Sequence, residues 1–316
     1  MTDRIIGIKE YLEELMPEIE YGGIKEKYPV LQRIFGDKFT SWVLLLRPFT
    51  LLAPLLAGIF GVLAAVNFGA ITAEHTKTAI YAGITLAAAQ AVGQVINQYA
   101  DYALDALAKP YRAIPKGYVS RDEAMGIAWL LAMFAVGRAF ITGMVFGLIV
   151  LALIFFSVFY SLSPFSPRKI NPLLNTAWVS FSRGFLPVFA VLSIYGSLSS
   201  AWIYAGFAFM WCLAYQGSKD IGDAGPDKRF GIKTMVNTYG VKGFTKYAAA
   251  ISMLMYVYAF AYVPVMLLLV PLTILFFEGI EKQNEKLENT RAWLIFYAGL
   301  GLIYIIMFVK ESMAWL

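Results

Sequence analysis

Apolar residues run through this chain in long blocks, not in the two-residue alternation of half-buried strands. Nine blocks approach or exceed the ~20 apolar residues that a helix needs to cross a bilayer. They are 41–66, 78–103, 122–141, 143–162, 172–195, 199–219, 241–260, 262–279 and 291–313. The third and fourth are almost continuous, so a tight turn is expected at Thr142-Gly143. The short alternating strands of a membrane barrel are missing, and lipid leaves only helices to satisfy a spanning backbone. The pattern predicts an all-α polytopic membrane protein with nine transmembrane helices in one bundle.

Residues 1–39 have another rhythm. Ile5, Ile8, Leu12 and Leu15 recur at helical spacing among Arg4, Lys9, Glu10 and Glu13. That spacing predicts an amphipathic helix lying on the membrane surface. The chain thus divides into an interfacial segment, 1–39, and a transmembrane domain, 40–316.

Composition agrees. The 316 residues are 59% hydrophobic and 15% charged, against about 45–50% and 25% in soluble domains, and the mean hydropathy is +0.64. With a cytoplasmic N-terminus, loops after even-numbered spans should carry the Lys and Arg residues. They do. Lys109, Arg112, Lys116 and Arg121 follow span two, and Arg168 and Lys169 follow span four. Lys219, Lys228, Arg229 and Lys233 follow span six, and Lys282, Lys286 and Arg291 follow span eight. The opposite loops contribute only Lys77. The net charge of +5 thus reads as topology and not as nucleic-acid binding. A single cysteine, Cys212, excludes a disulfide within the chain, and the single histidine, His75, falls in an outer loop. The charged N-terminus gives no signal-peptide pattern.

Against this background two acidic clusters stand out. "NQYADYALDALAKPYRAIPKG" (97–117) ends span two and "YQGSKDIGDAGPDKRFGIKT" (215–234) ends span six, so both belong at the same membrane face. Steps of four residues advance a helix by about 40° beyond a full turn. Asn97, Asp101 and Asp105 therefore share one narrow face, as do Tyr215, Lys219 and Asp223, with Asp220 beside them. Pro226 should end the helix and leave Asp227 just beyond it.

Gathered carboxylates repel, and charge near lipid is costly enough to mark function. A divalent cation relieves the repulsion. Oxygen ligands suit Mg²⁺, which takes one or two carboxylates together with phosphate oxygens. Asp101, Asp105, Asp223 and Asp227, with Asn97, are the candidate metal ligands. Asn97, Arg112, Lys116, Tyr215, Lys219 and Lys228 are the candidates for holding a diphosphate. Isolated charged helix ends are usually just solvated; two such clusters on one face, each followed by cations, argue for a site.

The two stretches resemble the paired acidic motifs of the UbiA superfamily of intramembrane prenyltransferases. The first is similar to N-(D/Q)-x-x-D-x-x-x-D with its Arg-Pro-Ile-Pro-like loop, and the second to the Lys-Asp-x-x-Asp-x-x-Gly-Asp type. The resemblance extends to Arg47-Pro48, the "YSLSPFSPRK" loop and Arg183-Gly184. It implies nine helices around a central cavity open to the cytoplasm, and Mg²⁺-dependent prenyl transfer from an isoprenyl diphosphate to a hydrophobic acceptor. Asn97, Asp101 and Asp105 match the first motif, Asp223 and Asp227 the second, Arg112 the loop arginine, and Lys219-Asp220 the basic-acidic pair. Gln98, Ala113, Lys116 and "GPD" depart from the pattern. Gln98 leans toward branches like chlorophyll synthases and homogentisate prenyltransferases, so an aromatic quinone precursor or a chlorin-like ring is the expected acceptor. Geranylgeranylglyceryl phosphate is the alternative.

In this reading, cations and Mg²⁺ stabilise the leaving diphosphate, and Asp220 takes the acceptor proton. Aromatic side chains of spans four and six, Phe155, Phe156, Phe159, Tyr160, Trp202, Tyr204, Phe207, Phe209 and Trp211, are candidates to shield an allylic cation. A transporter of an anionic metabolite is the rival of another class, although matched broken helices are absent. A non-catalytic scaffold would have no use for two acid clusters.

Overall fold

The computed structural model describes residues 18–20, 23–25, 29–66, 68–162, 166–196, 198–286 and 290–313. Ile5, Ile8, Leu12 and Leu15 of the expected amphipathic helix lie outside them. Within the rest of the segment 1–39, an antiparallel ribbon pairs β1 (Glu18–Glu20) with β2 (Gly23–Lys25), Ile19 opposite Ile24. Helix α1 (Pro29–Leu46) then runs through position 40 into the first span, bending at Gly36, whose φ of 77° suits a glycine.

The first predicted span is not one straight helix. Pro48 lacks an amide donor and disfavours helical geometry at the residue before it. Arg47 accordingly adopts a left-handed conformation (φ 54°, ψ 66°), and a 3₁₀ turn, Pro48–Leu51, leads into α2 (Leu52–Ala64). The two halves meet at 43°. Helix α3 (Ala73–Ala100) is capped by Thr72, and His75 supplies the reciprocal bond of that cap, which gives the lone histidine a local structural role.

A short α4 (Tyr102–Ala108) follows α3 after a break at Asp101. Helices α5 (Arg121–Thr142) and α6 (Met144–Ser161) are joined by Gly143 alone, the tight turn that the sequence predicts. After α7 (Pro167–Ile170), the fifth span comprises α8 (Pro172–Ser180), a π-turn at Phe181–Phe185 and α9 (Leu186–Tyr195). Pro187 cannot donate to the turn before it, and Leu186 N–H reaches back five residues to the Phe181 carbonyl. Gly184 lets this turn lie against the backbone of α10 (Leu198–Tyr215); a Cβ there would stand 2.4 Å from the Ala208 oxygen. The chain continues through a 3₁₀ turn (Gln216–Asp220), α11 (Ala224–Arg229), α12 (Met235–Tyr262), another 3₁₀ turn (Pro264–Leu269), α13 (Val270–Lys286) and α14 (Thr290–Met313).

Among the described residues, seven helical segments are long and apolar enough to cross a membrane, and the bent first pair makes an eighth. The remaining predicted span, 199–219, is α-helical only over Leu198–Tyr215. Helix α3 is the most enclosed and packs on α2, α5 and α6. Its contact with α2 is made by glycines: a Cβ on Gly58 would lie 2.0 Å from the Gly83 nitrogen. Without water to drive association, such close backbone approach is a main source of helix pairing in lipid. The opposite half of the core is aromatic. Trp211 lies against Gly299 and donates to the Phe296 carbonyl at 3.1 Å. Tyr215 shares hydrogen bonds of 2.8 Å with Ser252 and Thr273, tying α10 to α12 and α13.

Gly58→Val cannot be relieved by side-chain rotation, because the obstacle is backbone. It should cost at least the ~1–3 kcal/mol typical of overpacking and lower the thermal unfolding midpoint in detergent. Gly126→Ala, where a Cβ meets nothing within 4 Å, is the control and should leave the midpoint unchanged or higher. Tyr215→Phe should lower stability by about 0.5–1.5 kcal/mol, read as a lower unfolding midpoint in detergent. An unchanged midpoint would show that its hydroxyl does not hold these helices together.

Candidate active site

The two acidic clusters come together at one end of the bundle and line a single cavity. Lys109, just after the first cluster, donates to the Asp223 carboxylate of the second at 2.6 Å. Asp105 is buried and accepts from Arg112 at 2.5 Å. Asp101 receives both terminal nitrogens of Arg168, at 2.5 and 2.6 Å, in the forked geometry that suits a guanidinium. Asn97 donates to Asp101 at 2.7 Å and to Ser161 at 3.2 Å.

Local backbone explains these positions. The break at Asp101 preserves the four-residue hydrogen-bond rhythm, since Asp105 N–H reaches the Asp101 carbonyl at 2.7 Å. Asn97, Asp101 and Asp105 therefore stay on one side as expected, while each carboxylate finds a different cation. In the second cluster the expectation of a continuous helix is overturned. The chain passes from α-helix to 3₁₀ turn after Tyr215. The extra ~20° per residue rotates the succeeding side chains by roughly 80° over four residues. Lys219, Asp220 and Asp223 face the cavity, whereas Tyr215 points into the α12–α13 core. Pro226 does not end a helix; it sits in the first turn of a new one, α11, where its missing N–H has no cost. That new helix buries Asp227 in the cavity wall.

Lys116 and Lys228 are exposed and lie away from the cavity lining. Lys116 stands over the Tyr118 ring at 5.6 Å. Gln98 is engaged structurally, donating at 2.6 Å to the Leu45 carbonyl where α1 ends. Ala113 is a packing residue in the cluster around Leu45, Val92 and Val95. Of the aromatic candidates, Phe156 and Tyr160 line the cavity; Tyr204, Phe207 and Trp211 are buried in the core, and Phe155 and Trp202 are exposed.

Sequence reasoning counts Lys109 and Arg168 among the topogenic charges and does not single them out as site residues. Their signal was proximity to a motif: Lys109 four residues after Asp105, and Arg168 inside "YSLSPFSPRK". The loops bearing site residues are also stitched together. Lys233 N–H donates to the Arg168 carbonyl at 2.6 Å, Lys233 Nζ to the Ile170 carbonyl at 3.1 Å, and Asn175 to the Lys233 carbonyl at 2.9 Å.

The electrostatics leave acidity over for a cation. Asp105 Oδ1 is buried without a hydrogen-bond partner. Burial, reinforced by Asp220 and Asp223, pushes the Asp227 carboxyl up to about 8. Burial likewise raises Asp220 to about 6, with Lys219 pulling the other way. Among the described residues no three carboxylates converge on one point, because Asp101, Asp105 and Asp223 are each turned to a cation. An orphaned Asp105 oxygen in the same cavity as the mutually repelling Asp220, Asp223 and Asp227 nonetheless fits a hard, oxygen-ligated metal.

A model of the UbiA prenyltransferase family matches residues 51–300. The chain is 25% identical over 257 residues to the digeranylgeranylglyceryl phosphate synthase of Methanothermobacter thermautotrophicus, covering 78% of this chain and 90% of that protein. It is 30% identical over 209 residues to the digeranylgeranylglyceryl phosphate synthase of Thermococcus kodakarensis, covering 65% and 71%. Its fold is similar to that of a UbiA homologue from Archaeoglobus fulgidus bound to DMAPP and Mg²⁺, with a TM-score of 0.69 at 17% identity over 87% of this chain and 99% of the other. The family match spans most of the chain and includes both acidic clusters: the chain belongs to the UbiA prenyltransferase family and is a membrane prenyltransferase.

Proposed function

We propose that this protein transfers a prenyl group from an isoprenyl diphosphate to geranylgeranylglyceryl phosphate, an ether-lipid precursor, at a Mg²⁺-dependent site facing the cytoplasm. The observation that carries the reading is the closure of both acidic clusters around one cavity through the Lys109–Asp223 pair. Six cations (Arg47, Lys109, Arg112, Arg168, Arg183 and Lys219) face five carboxylates in its lining. A multiply charged anion together with a divalent cation can enter such a site without leaving a large net charge buried.

The proposed acceptor differs from the one expected from Gln98. That residue is held by the Leu45 carbonyl, a bond that asks for an amide donor whatever the acceptor is. The relatives from Methanothermobacter and Thermococcus are digeranylgeranylglyceryl phosphate synthases, which favours the glycerol-phosphate lipid over a quinone precursor or chlorin ring. The cytoplasmic orientation rests on the Lys and Arg residues in alternate loops.

Asp101, Asp105, Asp223 and Asp227, with Asn97, would hold Mg²⁺, which when bound neutralises diphosphate oxygens as a Lewis acid. Lys109, Arg112 and Arg168 are placed to donate to the diphosphate and to stabilise its growing charge as the allylic C–O bond breaks. Tyr160 lies beneath Arg168 and Lys219 and Phe156 lines the same cavity, where an allylic cation would be shielded from water. Asp220, raised by burial toward neutrality, is suited to receive the acceptor hydroxyl proton.

Removing divalent metal with EDTA should abolish product formation, and excess Mg²⁺ should restore it. Asp101→Asn keeps the shape but removes a charge, and should lower kcat by about 10²–10³, the scale of a lost electrostatic contact in an active site. Turnover indifferent to both would sink the metal assignment. Offered geranylgeranyl diphosphate with several acceptors, the purified protein should yield mass-verified product from geranylgeranylglyceryl phosphate at least about tenfold faster than from hydroxybenzoate, homogentisate or chlorophyllide, a gap of about 1.4 kcal/mol. A ring acceptor turned over faster would reverse the assignment.

A further inference from the structure

The acidic clusters do not account for the whole polar lining of the cavity. Lys109, Arg112 and Arg168 are bonded to Asp223, Asp105 and Asp101. Arg183 forms no ion pair with a carboxylate among the described residues; its Nη1 reaches the Tyr297 hydroxyl at 3.4 Å. Arg47 donates to Gln94 Oε1 at 3.2 Å and lies 5.9 Å from the Trp293 ring centre. Gln94 is only 3% exposed, lines the cavity, and has a buried Nε2 with no hydrogen-bond partner. A buried amide donor without an acceptor is costly and calls for an explanation. A ligand oxygen supplies one.

The backbone singles out the same place. Arg47 is the one non-glycine residue with positive φ among those described. Arg183 sits inside the π-turn before Pro187. Irregular backbone of both kinds persists where a surrounding site holds it, and it gathers at functional positions. Gln94 is seven residues before Asp101 on the same helix, hence about 10 Å deeper along its axis. Contacts run from Gln94 to Arg47, from Arg47 to Trp293, from Trp293 to Tyr297 and from Tyr297 to Arg183, so two guanidinium groups, an amide nitrogen and a phenol form one group in the cavity wall.

We propose that Arg47, Gln94, Arg183 and Tyr297 form a second anion subsite that binds the phosphomonoester of the acceptor, separate from the diphosphate held by the acidic clusters. The proposal rests on the prenyl-transfer reading of this cavity. A phosphomonoester offers only acceptor oxygens and up to two negative charges, the complement of this donor set. Phe49 and Trp293 stand against the Tyr297 ring at 5.7 and 5.0 Å, and Trp293 gives the cavity an apolar face beside the donors. A neutral ring in this place would leave the buried Gln94 donor unmet.

The test compares geranylgeranylglyceryl phosphate with its dephosphorylated alcohol, at saturating geranylgeranyl diphosphate, in wild type, Gln94→Leu, Arg183→Gln and Arg183→Lys. In wild type, loss of the phosphate should reduce kcat/KM by about 100-fold, as expected for several charged hydrogen bonds. Gln94→Leu and Arg183→Gln should raise the KM for the phosphorylated acceptor about tenfold or more and shrink the preference over the alcohol. Their KM for the prenyl diphosphate should stay within about twofold, and Arg183→Lys should recover part of the loss. A rise in prenyl diphosphate KM, or equal losses for both acceptors, would overturn the subsite. Inorganic phosphate at millimolar concentration provides an arm independent of turnover: it should raise the thermal midpoint of wild type and not of Arg183→Gln. A midpoint that does not respond in wild type would overturn the subsite. A shift with phosphate alone, without preference for the phosphorylated lipid, would leave a free-anion site and overturn the acceptor assignment. If wild type prenylates neither lipid while the Arg183-dependent phosphate shift persists, the ether-lipid reading falls and the anion subsite stands.

Discussion

Carboxylates at the end of an apolar bundle can persist only if something balances them, and here the balance is drawn from separate loops. Lys109 spans from the first cluster to Asp223 in the second. Arg168, from the loop between the fourth and fifth spans, closes on Asp101. Arg112 folds back on Asp105. Each pair neutralises charge at a depth where a lone ion would be expensive, and the Lys109 and Arg168 pairs also fix the distance between separate segments of the chain. The cavity owes its shape to these crossings as much as to helix packing.

The helices reach this arrangement by being interrupted in the right places. Pro48 forces Arg47 out of helical geometry, Pro187 opens a π-turn at Arg183, and the 3₁₀ turn after Tyr215 swings Lys219 and Asp220 inward. Glycines make the packing dense: Gly58 against Gly83 and Gly299 against Trp211 in the continuous helices, and Gly184 against Ala208 at the π-turn. A bundle held by close backbone contact is rigid enough to tolerate local strain, and the strained turns carry cavity residues. Polar networks without chemistry, such as Tyr215 with Ser252 and Thr273, serve the same rigidity farther from the cavity.

Much of this was legible along the chain. The apolar blocks gave the helices and the Gly143 turn, because lipid permits one way of satisfying a spanning backbone. The four-residue recurrence of Asn97, Asp101 and Asp105 gave one half of the site, since hydrogen bonding continues through the break at Asp101. Reading the second cluster as a helix misplaced Tyr215 and the role of Pro226, because a shift from 3.6 to 3 residues per turn leaves no mark in hydrophobic pattern. Lys116 and Lys228 were drawn in by charge and neighbourhood alone, and both lie on exposed surface. Gln98, which weighed on the choice of acceptor, proved to hold a backbone carbonyl.

The sequence by itself determined the membrane class, the helical bundle, the two acidic clusters and the family, for these rest on composition, local period and adjacent residues. Only the tertiary structure decided which cation meets which carboxylate, that Arg168 belongs beside Asp101, and that Arg47, Gln94 and Arg183 line the same cavity. Those relations join positions scattered from span one to the loop after span six. They are set by where broken helices point their side chains after packing, a property of three-dimensional closure that local sequence does not encode.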